Sequence, residues 1–267
     1  MHLKRIITSL VALPLLIAII CLGGPFLFSL LVIAAGIIAL NEYYGIWFNG
    51  SDRNYFIEAA GYLSVPCLIY SAYFARMDLT SIVILANIFI SALLAVVFAK
   101  KKNISSNTIS GHILGICYIP LSLAFLMAIR NFDKGEAWIF LVLFIVFASD
   151  TGAYYAGTYY GKHKLCPEIS PGKTWEGFFG GLAFVVFIGT VFRFLFFNDL
   201  PLLNFISLSL FTGLIAPVGD LFESMLKRAA GVKDSGKILP GHGGLLDRID
   251  AMLFAFPAVY AFKTYVL

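Results

Sequence analysis

The sequence predicts an all-α integral membrane protein with about nine transmembrane helices, its N-terminus in the cytoplasm and its C-terminus outside. Hydrophobic residues make up 60% of the 267 residues and charged residues only 13%, with a mean hydropathy of +0.89. A soluble domain carries about 25% charged residues. Apolar runs of about 20 residues, the length that crosses a hydrocarbon core about 30 Å thick, recur along the chain. Most basic residues fall in alternate connections between these runs.

The predicted spans follow from the apolar runs. They extend over residues 6–22, 25–48, 55–75, 79–99, 109–129, 136–161, 173–197, 202–228 and 243–265. The first run follows Lys4 and Arg5, as a signal peptide would, but Gly23, Gly24 and Pro25 lead directly into another apolar run. We therefore interpret it as a span rather than a cleaved signal.

The distribution of basic residues sets the predicted orientation. If the spans alternate in direction, the N-terminus shares its side with the connections after the second, fourth, sixth and eighth spans. That side holds most of the 19 Lys and Arg, including Lys100, Lys101 and Lys102. The positive-inside rule places it in the cytoplasm. Membrane headgroups next to these short connections explain the net charge of +4 better than nucleic acid does.

The chain divides by sequence character into three parts. Residues 1–100 are N-terminal transmembrane helices with plain connections, and residues 101–135 form a connecting loop and helix. Residues 136–267 crowd acids, bases and glycines around the span ends. We expect this last part to be the catalytic transmembrane domain.

Acidic residues within the apolar runs predict a polar cavity near the cytoplasmic face. Ionisable groups inside a span are costly unless they are paired or face water. Six acids from five spans lie at similar depth: Glu42, Asp150, Glu176, Asp220, Asp247 and Asp250. Hard oxygen ligands without a nearby cysteine or histidine pair suit Mg²⁺, with Asp220 and Asp247 as the leading ligands. For Glu42, a packing or interfacial role and a catalytic role stay equally open.

The eighth predicted span carries a polar stripe. Asp220, Glu223, Ser224, Lys227 and Arg228 are spaced so that they share one face of a helix. The stripe predicts a surface on which acids lie deeper and bases shallower. Ordinary ion pairs within the helix are the alternative interpretation.

A glycine-rich loop, residues 231–244, precedes the ninth predicted span. Its glycines allow backbone N–H groups to approach a phosphate, and the following helix directs its positive end to the same place. Lys233 adds a point charge, and Arg228 or Arg248 could bind phosphate with two hydrogen bonds. The loop matches no Walker motif, and a flexible, positively charged connection is the alternative.

Several motifs in the second half of the chain carry a family resemblance. They are Ser149–Gly157, Ser170–Gly177, Ser224–Arg228, Lys233–Ser235 and His242–Asp250. Together they resemble the phosphatidate cytidylyltransferase family, strongly over residues 149–250 and elsewhere only as a pattern of spans. Gly172 stands where the family has a larger polar residue, so the role of that position is open.

The resemblance implies a multi-pass enzyme. With the predicted orientation, we expect it in the inner cell membrane with its active site facing the cytoplasm. Such an enzyme transfers CMP from CTP to phosphatidic acid and gives CDP-diacylglycerol and pyrophosphate. The resemblance also implies carboxylates that hold Mg²⁺, K⁺ as a second ion, and a homodimer, for which residues 101–135 are a candidate contact region.

Residue roles follow from combining this resemblance with the sequence pattern. Asp220 and Asp247 are expected to bind Mg²⁺. The expected phosphate ligands are Lys227, Arg228, Lys233 and Arg248. The residues expected to bind or orient substrate are Asp150, Lys173, Glu176, Ser224, Asp234, His242, Gly243, Gly244 and Asp250. His242 could protonate the departing pyrophosphate or only shape the loop, and both roles stay open.

Two other functions compete with this interpretation. A CDP-alcohol phosphotransferase also acts on lipid pyrophosphates, but its DxxDG…AR…GxxxD…D pattern is absent from the sequence. An ion-coupled transporter also uses intramembrane acids and helices broken by glycine. The sequence shows no inverted repeat, however, and its acids lie near one face of the membrane rather than at the midplane.

Overall fold

Ten helices and one small hairpin make up the part of the chain that the structure describes. The computed structural model describes residues 2–48, 53–98, 105–239, 241 and 243–267. The helices are α1 (His2–Leu22), α2 (Gly24–Trp47), α3 (Tyr55–Tyr73), α4 (Met77–Phe98), α5 (Ser106–Tyr118), α6 (Pro120–Arg130), α7 (Gly135–Tyr160), α8 (Trp175–Phe196), α9 (Leu202–Ala229) and α10 (Leu246–Tyr265). The strands β1 (Lys164–Cys166) and β2 (Ser170–Thr174) pair antiparallel. His242 and the first part of the predicted 101–135 segment lie outside the described residues.

Six described segments are long and apolar enough to cross a bilayer. They are Gly24–Trp47, Asp78–Val97, Ser106–Arg130, Gly135–Tyr160, Trp175–Phe196 and Leu202–Ala229. Each coincides with one of the predicted spans, which confirms a largely helical architecture with several membrane-length helices. The count of nine spans and the orientation of the termini stay predictions.

Two local features differ from the predicted pattern. The predicted span 109–129 is divided into α5 and α6 at Ile119, where Pro120 occupies the first turn of α6 and cannot donate a backbone hydrogen bond. The all-α prediction also missed the β1–β2 hairpin. Its segment is polar and contains Pro167 and Pro171, which disfavour a continuous helix.

The chain forms two compact units. The first unit consists of Met1–Asn131 and Ala229–Arg248, and the second of Phe132–Arg228 and Ile249–Leu267. The three parts predicted from the sequence, residues 1–100, 101–135 and 136–267, divide the chain by expected function rather than by compactness. That division stays a prediction.

In the first unit, aromatic side chains fix α2 against α5. The Tyr43 hydroxyl donates to the Gly111 carbonyl over 3.0 Å, and the Tyr44 hydroxyl lies 2.9 Å from His112 Nδ1. The Trp47 indole N–H donates to the Asn107 carbonyl over 3.3 Å. Both tyrosines are fully buried, so these polar ends need partners, and each finds one on α5 or at its start. The rotation of α2 about its axis is thereby set.

In the second unit, α7 and α8 pack through small residues. A Cβ atom added at Gly152 would lie 2.8 Å from the Gly180 carbonyl, and one added at Gly180 would meet the Ala156 side chain. The close approach brings the two backbones together, as small residues commonly do between membrane helices. The β1–β2 hairpin connects these two helices and contacts both through β2.

Candidate active site

An ion pair between a strand and a helix lies at the centre of the polar groups of the second unit. Lys173 on β2 places its Nζ 2.7 Å from Asp220 Oδ2 on α9. Asp150 on α7 and Asp250 on α10 each interact electrostatically with Asp220. Three helices and one strand therefore bring three predicted acids and one predicted base into the same neighbourhood.

Local backbone features explain why these side chains meet. β2 ends at Thr174, whose hydroxyl accepts the Gly177 N–H over 3.1 Å and caps α8, so Lys173 is held next to the cap and two residues before the helix starts at Trp175. A Cβ added at Gly219 would lie 2.5 Å from the Asp250 carbonyl oxygen. α9 and α10 therefore approach closely beside Asp220, because glycine allows it there.

A cavity of about 530 Å³ opens next to this ion pair, entirely within the second unit. Its lining residues are Ser149, Asp150, Ala153, Tyr154, Gly157, Thr158, Leu165, Ser170, Gly172, Lys173, Thr174, Gly177, Phe178 and Pro217. One part of the wall is therefore charged and another is apolar or aromatic. Gly172, which departs from the family pattern, has open space at its Cβ position.

The polar stripe of α9 shows both the predicted acids and an ion pair within the helix, which was the alternative interpretation. The Ser224 hydroxyl donates to Asp220 Oδ1 over 3.3 Å. Lys227 forms an ion pair with Glu223, whose side chain is fully buried, and Lys227 also interacts with Asp250. Arg228 is exposed, and its Nε donates to the Ile169 carbonyl over 3.5 Å. The alternative of ion pairs within the helix thus applies to Lys227, and the predicted phosphate roles of both bases stay predictions.

Glu176 holds the turn that leads into the hairpin. Its Oε1 lies 2.6 Å from His163 Nδ1, and its Oε2 accepts the backbone N–H groups of Lys162 and His163 over 3.1 and 3.2 Å. The carboxylate therefore fixes the backbone before β1. Sequence reasoning expected Glu176 to bind substrate and did not identify His163 at all. The substrate role stays a prediction beside this local contact.

In the first unit, Asp247 closes the glycine-rich loop. Its Oδ2 accepts the Ser235 N–H over 2.9 Å, the Ser235 hydroxyl over 3.0 Å and the Gly244 N–H over 2.8 Å. Gly243 has a φ of +84°, a backbone conformation that favours glycine. The predicted residues Lys233, Asp234 and Arg248 have exposed side chains, Gly243 is half-buried and Gly244 is buried.

Glu42 is the residue whose importance the sequence left open. Its carboxylate accepts the backbone N–H groups of Leu245 and Leu246 at the start of α10, and the Ser235 hydroxyl. An acid within an apolar run was the only signal in the sequence. Nothing in the sequence indicated that its partners are backbone groups about 200 residues away.

The donor set of the second unit fits Mg²⁺. Asp150, Asp220 and Asp250 carry carboxylate oxygens, the type of hard donor that this ion prefers. No group of three or more His, Cys, Asp or Glu is arranged around one metal position in the described residues. Mg²⁺ commonly takes one or two protein carboxylates and completes its shell with water and substrate phosphate. Asp220 and Asp247 belong to different units, and their predicted sharing of one ion stays a prediction.

Comparison with known proteins identifies the family. A model of the cytidylyltransferase family matches residues 3–266. A phosphatidate cytidylyltransferase of Bacillus subtilis is 33% identical over 263 residues, covering 96% of this chain and 96% of the relative. One of Staphylococcus haemolyticus is 32% identical over 260 residues, with 95% of each covered. One of Haemophilus influenzae is 46% identical over 136 residues, covering 48% of this chain and 47% of the relative. Because the family model and two relatives extend over nearly the whole chain, this protein belongs to the cytidylyltransferase family.

Proposed function

We propose that this protein transfers CMP from CTP to phosphatidic acid and releases pyrophosphate, which makes CDP-diacylglycerol for phospholipid synthesis. Family membership supports nucleotidyl transfer, and the relatives that match most of the chain are named for phosphatidate as the acceptor. The relatives carry the name of an enzyme, and no finding favours the ion-coupled transporter.

The observation that carries this proposal is the cavity of the second unit. Its wall combines Asp150 and Lys173 with apolar and aromatic side chains such as Tyr154 and Phe178. A phosphate monoester attached to acyl chains has the same division between a charged head and an apolar body. Phosphatidic acid matches this wall better than a fully hydrophilic substrate does.

The reaction needs no strong general base. A phosphate oxygen of phosphatidic acid forms a bond to the α-phosphorus of CTP, and the bond from that phosphorus to the oxygen bridging to the β-phosphate breaks. The two electrons of the broken bond leave with pyrophosphate. The main barrier is the approach of two polyanions and the charge that develops on the phosphoryl oxygens, so positioning and electrostatic stabilisation contribute most.

The basic residues are proposed to provide this positioning and electrostatic stabilisation. Lys173 is proposed to position the lipid phosphate at the cavity wall. Lys227 and Arg228 at the end of α9, with Lys233 and Arg248 of the first unit, are proposed to bind the phosphates of CTP. His242 keeps its two open roles, as a proton donor to pyrophosphate or as a residue that shapes the loop.

Asp220 is the proposed Mg²⁺ ligand of the second unit, and Asp247 is retained as a second ligand on the strength of the resemblance. When bound, the ion would neutralise charge on the triphosphate. Asp150, Glu176, Asp234 and Asp250 are proposed to orient the bases or to bind a second cation such as K⁺. We also propose a homodimer in the inner membrane with the active site facing the cytoplasm.

The proposal is tested by assaying the purified protein with CTP, phosphatidic acid and Mg²⁺. We expect pyrophosphate release that requires both substrates and yields CDP-diacylglycerol in equal amount. Diacylglycerol, which lacks the phosphate nucleophile, serves as the matched control and should give no release. Pyrophosphate release that does not depend on phosphatidic acid would reject this acceptor.

The orientation is tested by thiol labelling in intact cells. Lys237 lies in the glycine-rich loop and is exposed, whereas Ser235 is half-buried and hydrogen-bonded. The labelling site is therefore introduced as Lys237→Cys. In a background without the four natural cysteines, Cys21, Cys67, Cys117 and Cys166, we expect a membrane-impermeant thiol reagent to modify it only after the membrane is opened.

A control for the labelling experiment is available at the connection between α8 and α9. The side chain of Asp199 is 74% exposed, and the predicted topology places it outside. Asp199→Cys should therefore react in intact cells. The opposite pattern at the two positions would invert the predicted topology.

A further inference from the structure

Glu42 is a buried acid whose hydrogen-bond donors lie in the glycine-rich loop and at the start of α10. It is 7% exposed. Its Oε1 accepts the Leu245 N–H over 3.0 Å, and its Oε2 accepts the Leu246 N–H over 2.8 Å and the Ser235 hydroxyl over 3.2 Å. A carboxylate that accepts several hydrogen bonds in a buried place is stabilised by them, and its donors lose a favourable partner if it is removed.

The helix that carries Glu42 is held firmly within the same unit. The adjacent Tyr43 and Tyr44, and Trp47 one turn further on, are hydrogen-bonded to α5 or to its start. The carboxylate is therefore presented from a fixed helix, so it can define where its loop partners lie. A side chain on a mobile segment could not do this.

The glycines at both ends of the contact are shaped to this carboxylate. A Cβ added at Gly236 would clash first with Glu42 Oε1. One added at Gly244 would clash first with Ser235 Oγ and would also lie 2.6 Å from Glu42 Oε2. Neither position admits a larger residue unless these side chains are displaced. These two glycines therefore allow close approach to Glu42, and the glycine content of the loop is only partly available for contact with phosphate.

Ser235 connects Glu42 to Asp247. Its hydroxyl lies 3.2 Å from Glu42 Oε2 and 3.0 Å from Asp247 Oδ2, so its one proton is shared between the two carboxylates. The same Asp247 oxygen accepts the N–H groups of Ser235 and Gly244. The two carboxylates thus fix both ends of the segment from Ser235 to Leu246.

We propose that Glu42 is a positioning residue, which holds the glycine-rich loop and the start of α10 in the conformation that binds the phosphates of CTP. It acts through its hydrogen bonds to the Leu245 and Leu246 amides and the Ser235 hydroxyl rather than through contact with the substrate. The functional part of this inference rests on the proposed function. The structural part concerns the loop alone and can be tested without turnover.

Hydrogen exchange of the purified protein tests the structural part. Glu42→Gln preserves the side-chain volume but replaces one acceptor oxygen with an NH₂ group that faces N–H donors. We expect peptides that contain the amides of Leu245 and Leu246 to exchange about tenfold faster or more, with no change in peptides from α2 and α3. Wild-type exchange at these amides, or an equal increase throughout α2 and α3, would overturn the positioning role.

Kinetics test the functional part. If the loop is in the binding conformation for only a tenth of the time, KM for CTP rises about tenfold, because apparent affinity scales with the competent fraction. We expect the larger change in KM rather than in kcat. If Glu42 only fills space, Glu42→Gln should leave both KM and kcat unchanged. Faster exchange of the Leu245 and Leu246 amides with an unchanged KM for CTP would show that the conformation of the loop does not affect CTP binding.

Asp78→Asn provides the matched control. Asp78 is another carboxylate of the first unit, but it pairs with Arg76 at an exposed position. It should show wild-type exchange in the loop and a wild-type KM. If the wild-type protein itself shows no pyrophosphate release that depends on phosphatidic acid, the proposed function fails, whereas the exchange result still decides whether Glu42 holds the loop.

Discussion

Asp220→Asn is expected to lower the rate of CDP-diacylglycerol formation by about 100-fold or more, equivalent to about 2.7 kcal/mol of transition-state stabilisation. Asparagine preserves the shape of the side chain and removes its charge. It therefore removes the proposed charged Mg²⁺ ligand and the ion-pair partner of Lys173, whose Nζ lies 2.7 Å away. Turnover measured against Mg²⁺ concentration checks the prediction. Because asparagine still offers an oxygen, raised Mg²⁺ should recover a small part of the activity.

Stability measured on the same samples separates a catalytic role from a structural one. The Lys173 and Asp220 side chains are 25% and 34% exposed, so the loss of their pair should lower the free energy of unfolding by less than the about 3–5 kcal/mol expected when a fully buried pair is broken. Asp199→Asn, an exposed aspartate at the α8–α9 connection, serves as the control and should retain full activity. Wild-type turnover and Mg²⁺ dependence in Asp220→Asn would remove this residue from the proposed ion site.

The membrane-length helices could be predicted from the sequence because their signal is local. An apolar run of about 20 residues has few structural alternatives, so α2, α7, α8 and α9 were predicted close to their observed bounds. The β1–β2 hairpin could not be predicted in the same way. β1 contains only three residues, too few for an alternating pattern, and its pairing with β2 depends on contacts across the turn.

The candidate site could be predicted in its residue types but not in its pairings. The Glu223–Lys227 pair follows from helical spacing alone and was available as an alternative. The contact of Lys173 with Asp220 depends on how a strand and a helix pack within the second unit. Sequence spacing does not determine such packing. An acid in an apolar run signals that a partner exists, but not which one.

The carboxylate of Glu42 shows this limit most clearly. Its partners are the Leu245 and Leu246 amides, separated from it by 203 and 204 residues. Backbone N–H groups are present at every residue except proline, so no side-chain pattern could have identified these two. The close approach at Gly236 and Gly244 is visible only once the loop is placed.

Lys173→Met is expected to lower kcat/KM for phosphatidic acid by about 100-fold, with the protein still folded and inserted. Lys173 lines the cavity of the second unit and lies beside Asp220, and it interacts electrostatically with Asp150. Without this base the acids there lose a neutralising charge, and the anionic lipid phosphate meets a repulsive site.

Two further variants distinguish a specific site from a general loss of positive charge. Lys173→Arg retains the charge with a different geometry and should recover part of the activity. Lys164→Met removes one positive charge from the same hairpin, at an exposed position on β1, and should behave like the wild type. The measurement is the initial rate against phosphatidic acid presented at a fixed surface fraction in mixed micelles. Equal losses in Lys173→Met and Lys164→Met would show that only the overall charge of the hairpin matters, and would remove Lys173 from the lipid phosphate site.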